Sequence, residues 1–341
     1  MTDGLIRTGG TTAVIPLVTA EDDGFHSASD HWWETETAWF SFNLPERRIG
    51  GWFYNQVLAT QQVCNGGAWV WDDSSASALY EANHRGLPIP PLEALDLRDV
   101  ELPNGNHIQA LEPLTTYRVR YSDPGAFEAD LVFRAIMAPN SHPIGVAPFW
   151  KGRHFDQPMQ VRGRIVLHGE ELEIDCISVR DRSWGPRPLG PDPRKRAVPK
   201  PAVRPARPPE GVGYPFGSAS DRDAWLLYTR PTVADGVPSD QLSTGFLLRD
   251  GLYGHLVSGS RRTWLDPETR WITRIELEAT DEHGRILEAS GQLVSRHGAP
   301  GSPSGTGLFR WTWHGLEGWG EDQTYAPEDI LLALDATSTC P

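Results

Sequence analysis

The chain has 341 residues, of which 39% are hydrophobic and 22% charged, a composition typical of a folded globular protein with room for two domains. Its formal net charge of −14 repels phosphate backbones and argues against nucleic-acid binding. Tryptophan is enriched, with 14 residues. Such enrichment suits β-sheet cores and also aromatic-lined cavities.

The termini and the cysteines predict a cytoplasmic protein. The N-terminal apolar run, residues 13–18, is followed at once by three acidic residues, which is unlike a signal peptide, and no stretch approaches the length of a membrane span. The cysteines are odd in number, far apart and without metal-ligand spacing, which favours a reducing compartment. They are Cys64, Cys176 and Cys340.

Short β-strands dominate the first half of the chain. Residues 1 to about 30 are predicted to be a polar arm. Aromatic and β-branched runs bounded by Gly, Pro and Asn then predict strands. They lie at 37–42, 52–58, 68–71, 108–111, 117–121 and 127–138. A connection rich in Pro, His and Gly follows at 139–158, and we expect the domain boundary within it.

The second half repeats this pattern around a proline-rich segment. A hairpin is predicted at 161–179, and residues 327–334 predict one short helix. Further strands are predicted at 225–229, 244–248, 253–257, 271–279, 286–294 and 308–314. Between them, residues 186–211 hold nine prolines, seven basic and two acidic residues. This segment has too few apolar side chains to offset the entropy of ordering, so we expect a mobile, solvated loop.

Many short antiparallel strands, few helices and two halves of similar size predict an all-β protein made of two packed antiparallel β-barrels. The expected domains are residues 30–145 and residues 146–341, the second carrying the loop 186–211. Barrels of about eight strands can enclose one small apolar ligand. The architecture has no chemistry of its own, so function must come from particular side chains.

The run 177–187 carries the strongest chemical signal. Asp181 lies between Arg180 and Arg182, with Trp184 and a Gly-Pro turn close behind. Strand alternation places both arginines on one face and Asp181 on the other, so we expect the arginines to face outward and Asp181 to face a cavity. An apolar pocket would raise its pKa and make it a proton donor. The alternative is a structural ion pair with the arginines.

Other motifs are missing from the sequence. There is no phosphate-binding loop, no Gly-x-Ser-x-Gly elbow and no His-Glu-x-x-His, and the 11 histidines are scattered. We therefore predict no cofactor and no metal site.

Three stretches resemble the carotenoid 1,2-hydratase superfamily and its uncharacterised bacterial branch. Residues 180–187 carry an Asp-x-x-Trp-Gly signature, 311–323 resemble the Trp-, Gly- and Glu-rich final strand, and 40–47 resemble the opening strand. The resemblance implies a fold of two lipocalin-like barrels. It also implies an enzyme that hydrates isoprenoid double bonds or prenylated phenolics, or that cyclises terpenoid and polyketide chains. It implies for Asp181 the role of acid toward an alkene. His154 lies upstream, where a family histidine is expected.

We therefore expect a cofactor-independent, acid-initiated hydratase, cyclase or isomerase of a hydrophobic terpenoid- or steroid-like substrate. A non-catalytic carrier of an isoprenoid or lipid stays open as the alternative. The predicted catalytic residues are Asp181 and His154. The side chains expected to bind substrate are Trp184, Trp39, Tyr54, Trp71, Trp313 and Tyr325. The expected partner is a small hydrophobic molecule rather than nucleic acid or a membrane. The sequence does not indicate which oligomeric state the protein adopts.

Overall fold

The computed structural model describes residues 4–8, 11–26, 29–74, 78–144, 152–187, 192–195, 211–234, 237–298, 302 and 304–336. Within these ranges the chain forms 21 β-strands, short 3₁₀ turns and one α-helix. The 3₁₀ turns are Ala20–Asp23, Pro45–Arg47, Ala59–Gln61 and Leu92–Ala94. No helix among the described residues has the length and hydrophobicity needed to span a membrane.

The first half forms a hairpin followed by a large curled antiparallel sheet. The hairpin pairs β1 (Gly4–Thr8) with β2 (Thr11–Ile15). The sheet contains β3 (Glu34–Leu44), β4 (Ile49–Leu58), β5 (Val63–Trp71), β6 (Tyr80–Pro88), β7 (Asp99–Glu101), β8 (Asn106–Glu112), β9 (Thr116–Asp123), β10 (Phe127–Ala135), β11 (Asn140–Ser141), β12 (Arg153–Leu167) and β13 (Glu170–Pro186). Their order is β6-β5-β4-β3-β13-β12-β10-β9-β8-β7, with β11 beside β12.

The second half is a closed barrel of eight strands, each paired with the next and the last with the first. They are β14 (Val212–Ser220), β15 (Asp223–Ala234), β16 (Val237–Arg249), β17 (Leu252–Leu265), β18 (Ile272–Asp281), β19 (Ile286–His297), β20 (Gly305–Trp313) and β21 (Leu316–Tyr325). The helix α1 (Glu328–Ala333) follows the barrel. The predicted all-β class is confirmed.

Three hydrophobic cores follow from strand alternation. One lies inside the curled sheet and one inside the barrel. The third, which we call the inter-sheet core, lies where Trp39 and Val179 of the curled sheet meet Phe216, Leu226 and Phe246 on the outer face of the barrel. Polar side chains near this core are therefore held between the two halves.

The division between the halves differs from the expected boundary at 139–158. Strand β12 begins within that range and β13 lies beyond it, yet they hydrogen-bond to β10 and β3 of the first sheet. The closed barrel begins only at Val212. The hairpin itself was predicted, but strand pairing depends on which edge is free in space, and the order of the chain does not reveal that.

The structure corrects the prediction for the N-terminal residues and leaves the prediction for the proline-rich segment untested. The expected polar arm instead contains a hairpin and two buried carboxylates, Asp22 and Asp23, because both have basic partners nearby. Residues 188–191 and 196–210 lie outside the described part of the chain, so the mobile loop at 186–211 stays a prediction.

Candidate active site

A row of directly opposed residues crosses the curled sheet and carries the site. Asp156 on β12 lies opposite Asp181 on β13, Asp181 lies opposite Trp39 on β3, and Trp39 lies opposite Tyr54 on β4. Opposed residues in antiparallel strands point to the same face. This face is the one that packs against the barrel.

Asp181 and His154, the two predicted catalytic residues, are brought together on this face. His154 Nε2 lies 3.9 Å from Asp181 Oδ2. Asp181 Oδ1 is buried without a hydrogen-bond partner, while 19% of the side chain as a whole is exposed. A carboxyl with an unused oxygen and a remaining opening can contact a bound molecule.

Asp156 is the centre of a fully buried hydrogen-bond network. Its Oδ1 accepts hydrogen bonds from His154 Nε2 at 2.9 Å and from Tyr214 Oη at 2.7 Å. Its Oδ2 accepts one from His142 Nε2 at 2.5 Å. The Tyr228 hydroxyl lies 3.4 Å from His154 Nε2. Because both tyrosines belong to the barrel, the network joins the two halves of the molecule.

The charges of these groups differ sharply. Burial raises the pKa of Asp181, although nearby His154 opposes the shift. Burial disfavours a charged His154, but the negative charges of Asp156 and Asp181 outweigh this and raise its pKa. Burial also disfavours a charged Asp156, yet the charge of His154 and hydrogen bonds from His142 and His154 hold the pKa of Asp156 well below its usual range. Asp156 is thus an ionised anchor, and Asp181 is the carboxyl able to hold a proton.

His142, the fourth titratable residue of this site, is uncharged at neutral pH. Burial, followed by the charge of His154, lowers the pKa of His142 to about 4. At neutral pH this imidazole therefore donates to Asp156 as a neutral ring.

The two arginines beside Asp181 share the opposite face of β13, as alternation predicts, but that face is buried rather than outward. Arg180 is 3% exposed and pairs with Asp23 at 3.1 Å. Arg182 is 1% exposed and pairs with Glu36. The expectation of solvent-facing arginines is wrong because the N-terminal segment and β3 supply buried counter-ions. Neither arginine uses Asp181 as its partner.

Trp184 lies on the same face as the arginines, away from Asp181. Its ring stacks on His26 at 4.2 Å, and the Arg182 guanidinium lies 5.6 Å from it. The next residue, Gly185, has φ +115°, and a Cβ there would lie 2.8 Å from the Gly152 Cα. The Trp-Gly pair therefore closes the end of β13 tightly against the chain entering β12.

The other predicted aromatic residues divide into two groups. Trp39 and Tyr54 lie beside Asp181, and buried Trp71 is connected to them through Trp52, whose ring lies 5.5 Å from that of Trp71 and 5.7 Å from that of Trp39. The structure does not bring Trp313 and Tyr325 to this site. Trp313 packs inside the barrel, and Tyr325 is 47% exposed at the end of β21.

The sequence interpretation did not select four residues of this site. Asp156 had a visible signal, because it stands two residues after His154 and alternation puts both on one face. His142 directly follows the short strand β11, and Tyr214 and Tyr228 come from the barrel. Those three are brought in by pairing and docking that no local pattern encodes.

In the described part of the chain, one group has the geometry to hold a metal ion. Donor atoms of His142, His154 and Asp156 all lie within 4.8 Å of one another. These atoms already form hydrogen bonds within the group, which accounts for their convergence.

An eight-stranded closed barrel docked on a curled antiparallel sheet, with a buried carboxyl and imidazole between them, defines a double lipocalin-like β-barrel protein. The chain belongs to the family described as domain of unknown function DUF7064, whose model matches residues 19–198. The match contains every strand of the curled sheet and none of the closed barrel. No curated protein matches the sequence.

Solved structures share this fold over nearly the whole chain. An AttH-like protein of Nitrosomonas europaea superposes with a TM-score of 0.63 at 15% identity, covering 91% of this chain and 96% of that one. Kievitone hydratase from Nectria haematococca gives 0.53 at 13% identity, covering 92% and 94%. CghA gives 0.54 at 12% identity, covering 90% and 94%. At these identities the similarity establishes the fold.

Proposed function

We propose that this protein is a cofactor-independent enzyme that protonates a hydrophobic substrate from Asp181. The observation that carries the proposal is the position of Asp181. Its carboxyl is held in a buried environment that favours the protonated form, beside His154 and Trp39, with one oxygen free of hydrogen bonds. A neutral carboxylic acid next to aromatic rings is suited to protonating an alkene.

The reaction balances with groups of this chain. The O–H bond of Asp181 breaks as a C–H bond forms, leaving a cation on the substrate and a carboxylate on the enzyme. Indole faces stabilise such a cation by about 1–2 kcal/mol each. Addition of water with loss of its proton gives hydration, loss of a neighbouring proton gives isomerisation, and attack by an internal double bond followed by proton loss gives cyclisation. In each case Asp181 regains a proton.

His154 has a supporting role in this scheme. Its position between Asp156 and Asp181 lets it exchange a proton with Asp181, and Asp156 fixes its orientation. The aromatic surroundings and the double-barrel fold, shared with kievitone hydratase, support a terpenoid- or steroid-like substrate and membership of the carotenoid 1,2-hydratase superfamily and its bacterial branch. The cysteine pattern supports a cytoplasmic location.

The alternative is a carrier of an isoprenoid or lipid with no chemistry. One observation favours it: His142, His154 and Asp156 are fully buried and hydrogen-bonded to one another, as in a structural network. In this case Asp181 contacts the ligand without transferring a proton.

Incubation with terpenoid, steroid and prenylated aromatic compounds, followed by mass spectrometry, tests the proposal. A gain of one water indicates hydration, and an unchanged mass with altered retention indicates cyclisation or isomerisation. Co-purification of an unaltered compound favours the carrier. If the protein binds some of these compounds saturably but converts none of them, the proposal of an enzyme is contradicted.

A further inference from the structure

A cleft of about 300 Å³ lies where the β3–β4 turn meets the outer face of the barrel. The turn contributes Pro45 and Arg48, and the barrel contributes Gln292, Arg310 and Trp319. The cleft shares no lining residue with the Asp181 site. Pro45 directly follows the end of β3, six residues beyond Trp39, which corresponds to about 20 Å along the strand direction.

The charge of this cleft is opposite to that of the molecule. The chain carries a net charge of −14, yet none of the described Asp or Glu residues lines the cleft, which contains two guanidinium groups. The Arg48 guanidinium forms a salt bridge with Asp73, which does not line the cleft. Arg310 is exposed and forms no salt bridge with any described residue. The local potential therefore favours an anion.

The strand register aligns three recognition groups. Arg310 on β20 lies directly opposite Gln292 on β19 and Trp319 on β21, so all three project from the same face. A guanidinium pairs with a carboxylate through two parallel hydrogen bonds, and an indole offers a flat apolar surface beside it.

Another Arg–Trp pair on the barrel shows what is distinctive here. The Arg274 guanidinium lies 4.6 Å from the Trp264 ring, and Arg274 also pairs with Glu276. Its charge is thus satisfied within the protein. At Arg310 the described residues supply no such carboxylate, which leaves the guanidinium available to an external one.

The geometry points to a binding site for a small planar anion, of the class of aromatic or conjugated carboxylates, between the β3–β4 turn and strands β19 to β21. The volume lies at the lower end of the range for small-molecule sites. This inference does not depend on proton transfer by Asp181.

Calorimetric titration with 2-naphthoate, compared with the uncharged 2-naphthamide, tests the site. We expect saturable binding of naphthoate that weakens as salt is added, and tighter binding of naphthoate than of naphthamide. Arg310→Ala should weaken naphthoate binding by about tenfold or more and remove this preference. Trp319→Leu should weaken the binding of both compounds.

Two controls separate this site from others. Arg274→Ala removes a matched exposed arginine, and Asp181→Asn alters the proposed active site, so neither should change naphthoate binding here. Equal affinity for naphthoate and naphthamide, or an Arg310→Ala variant that binds like the wild type, would overturn the proposal. So would an absence of saturable binding up to millimolar concentrations.

Discussion

At the scale of single residues, two neighbouring carboxyl groups have opposite properties. Asp156 and Asp181 are cross-strand neighbours, yet the pKa of Asp156 is lowered and that of Asp181 is raised. Burial raises the pKa of both groups, but the charge of His154 and the hydrogen bonds that Asp156 accepts outweigh this effect at Asp156 alone. Asp156 accepts bonds on both oxygens from His142, His154 and Tyr214, whereas Asp181 Oδ1 accepts none. Such a division lets one carboxylate anchor the site and leaves the other for proton transfer.

Asp181→Asn should abolish proton donation while the fold is preserved. We expect turnover of any compound converted by the wild type to fall by at least about 100-fold. The melting temperature should change little, because Arg180 and Arg182 pair with Asp23 and Glu36 rather than with Asp181. Rate per folded molecule and thermal unfolding are measured together. A variant that unfolds earlier yet turns over normally would remove Asp181 from the mechanism.

His142 should make the protein sensitive to mild acid. Its pKa is lowered to about 4 in the folded protein, against about 6.5 in an unfolded chain. The unfolded state therefore binds the proton first, and stability is lost as the pH falls from about 6.5 toward 4. His142→Gln removes the titrating group while keeping a donor for Asp156, so melting temperatures at pH 7 and pH 5 should differ less in the variant than in the wild type.

The matched control is the exposed His84. His84→Gln should keep the wild-type dependence of melting temperature on pH. If His142→Gln also keeps it, protonation of His142 does not drive the loss of stability in acid.

At the scale of elements, β13 separates two polar environments by alternation alone. Arg180 and Arg182 face buried carboxylates on one side, and Asp181 faces the inter-sheet core on the other. A second unusual carboxyl lies at the contact between β4 and β21. Glu321 is fully buried, its Oε2 accepts a hydrogen bond of 2.7 Å from Trp52 Nε1, and burial raises its pKa well above the usual value.

Glu321→Gln should stabilise the protein at alkaline pH. A raised folded pKa means that the unfolded chain releases this proton first, so the wild type loses stability as the pH rises above the unfolded value of about 4.3. Glutamine keeps an acceptor for Trp52 and cannot ionise. We expect the variant to melt at a higher temperature than the wild type at pH 8, with a smaller difference at pH 4. The control is Glu317→Gln, because Glu317 is exposed on the same strand. An equal difference in melting temperature between Glu321→Gln and the wild type at both pH values would contradict this account.

At the scale of the whole molecule, the site depends on docking of the two halves. Tyr214 and Tyr228 come from the barrel, whereas Asp156, His154 and Asp181 come from the curled sheet. The inter-sheet core buries aromatic side chains from both. Each half thus completes the surroundings of the other's polar groups.

Cutting the chain between the two sheets should leave them associated. Cleavage at a protease site inserted between residues 195 and 211 breaks the chain between β13 and β14, but the inter-sheet core is unaffected. We expect the two fragments to elute together in size-exclusion chromatography and to retain ligand binding. Fragments that separate on cleavage would show that the connection, rather than the packing, holds the halves together.

The sequence by itself determined the all-β class, most strands and the two faces of β13. These follow from short-range patterns, since alternation and turn residues act over a few positions. It also indicated Asp181 and His154, which one hairpin brings together. Only the tertiary structure decided that β12 and β13 join the first sheet and that Asp23 and Glu36 form ion pairs with Arg180 and Arg182. It also decided that His142, Tyr214 and Tyr228 surround Asp156. Those outcomes depend on which strand edges meet and which buried charges find partners, and both involve residues far apart in the chain.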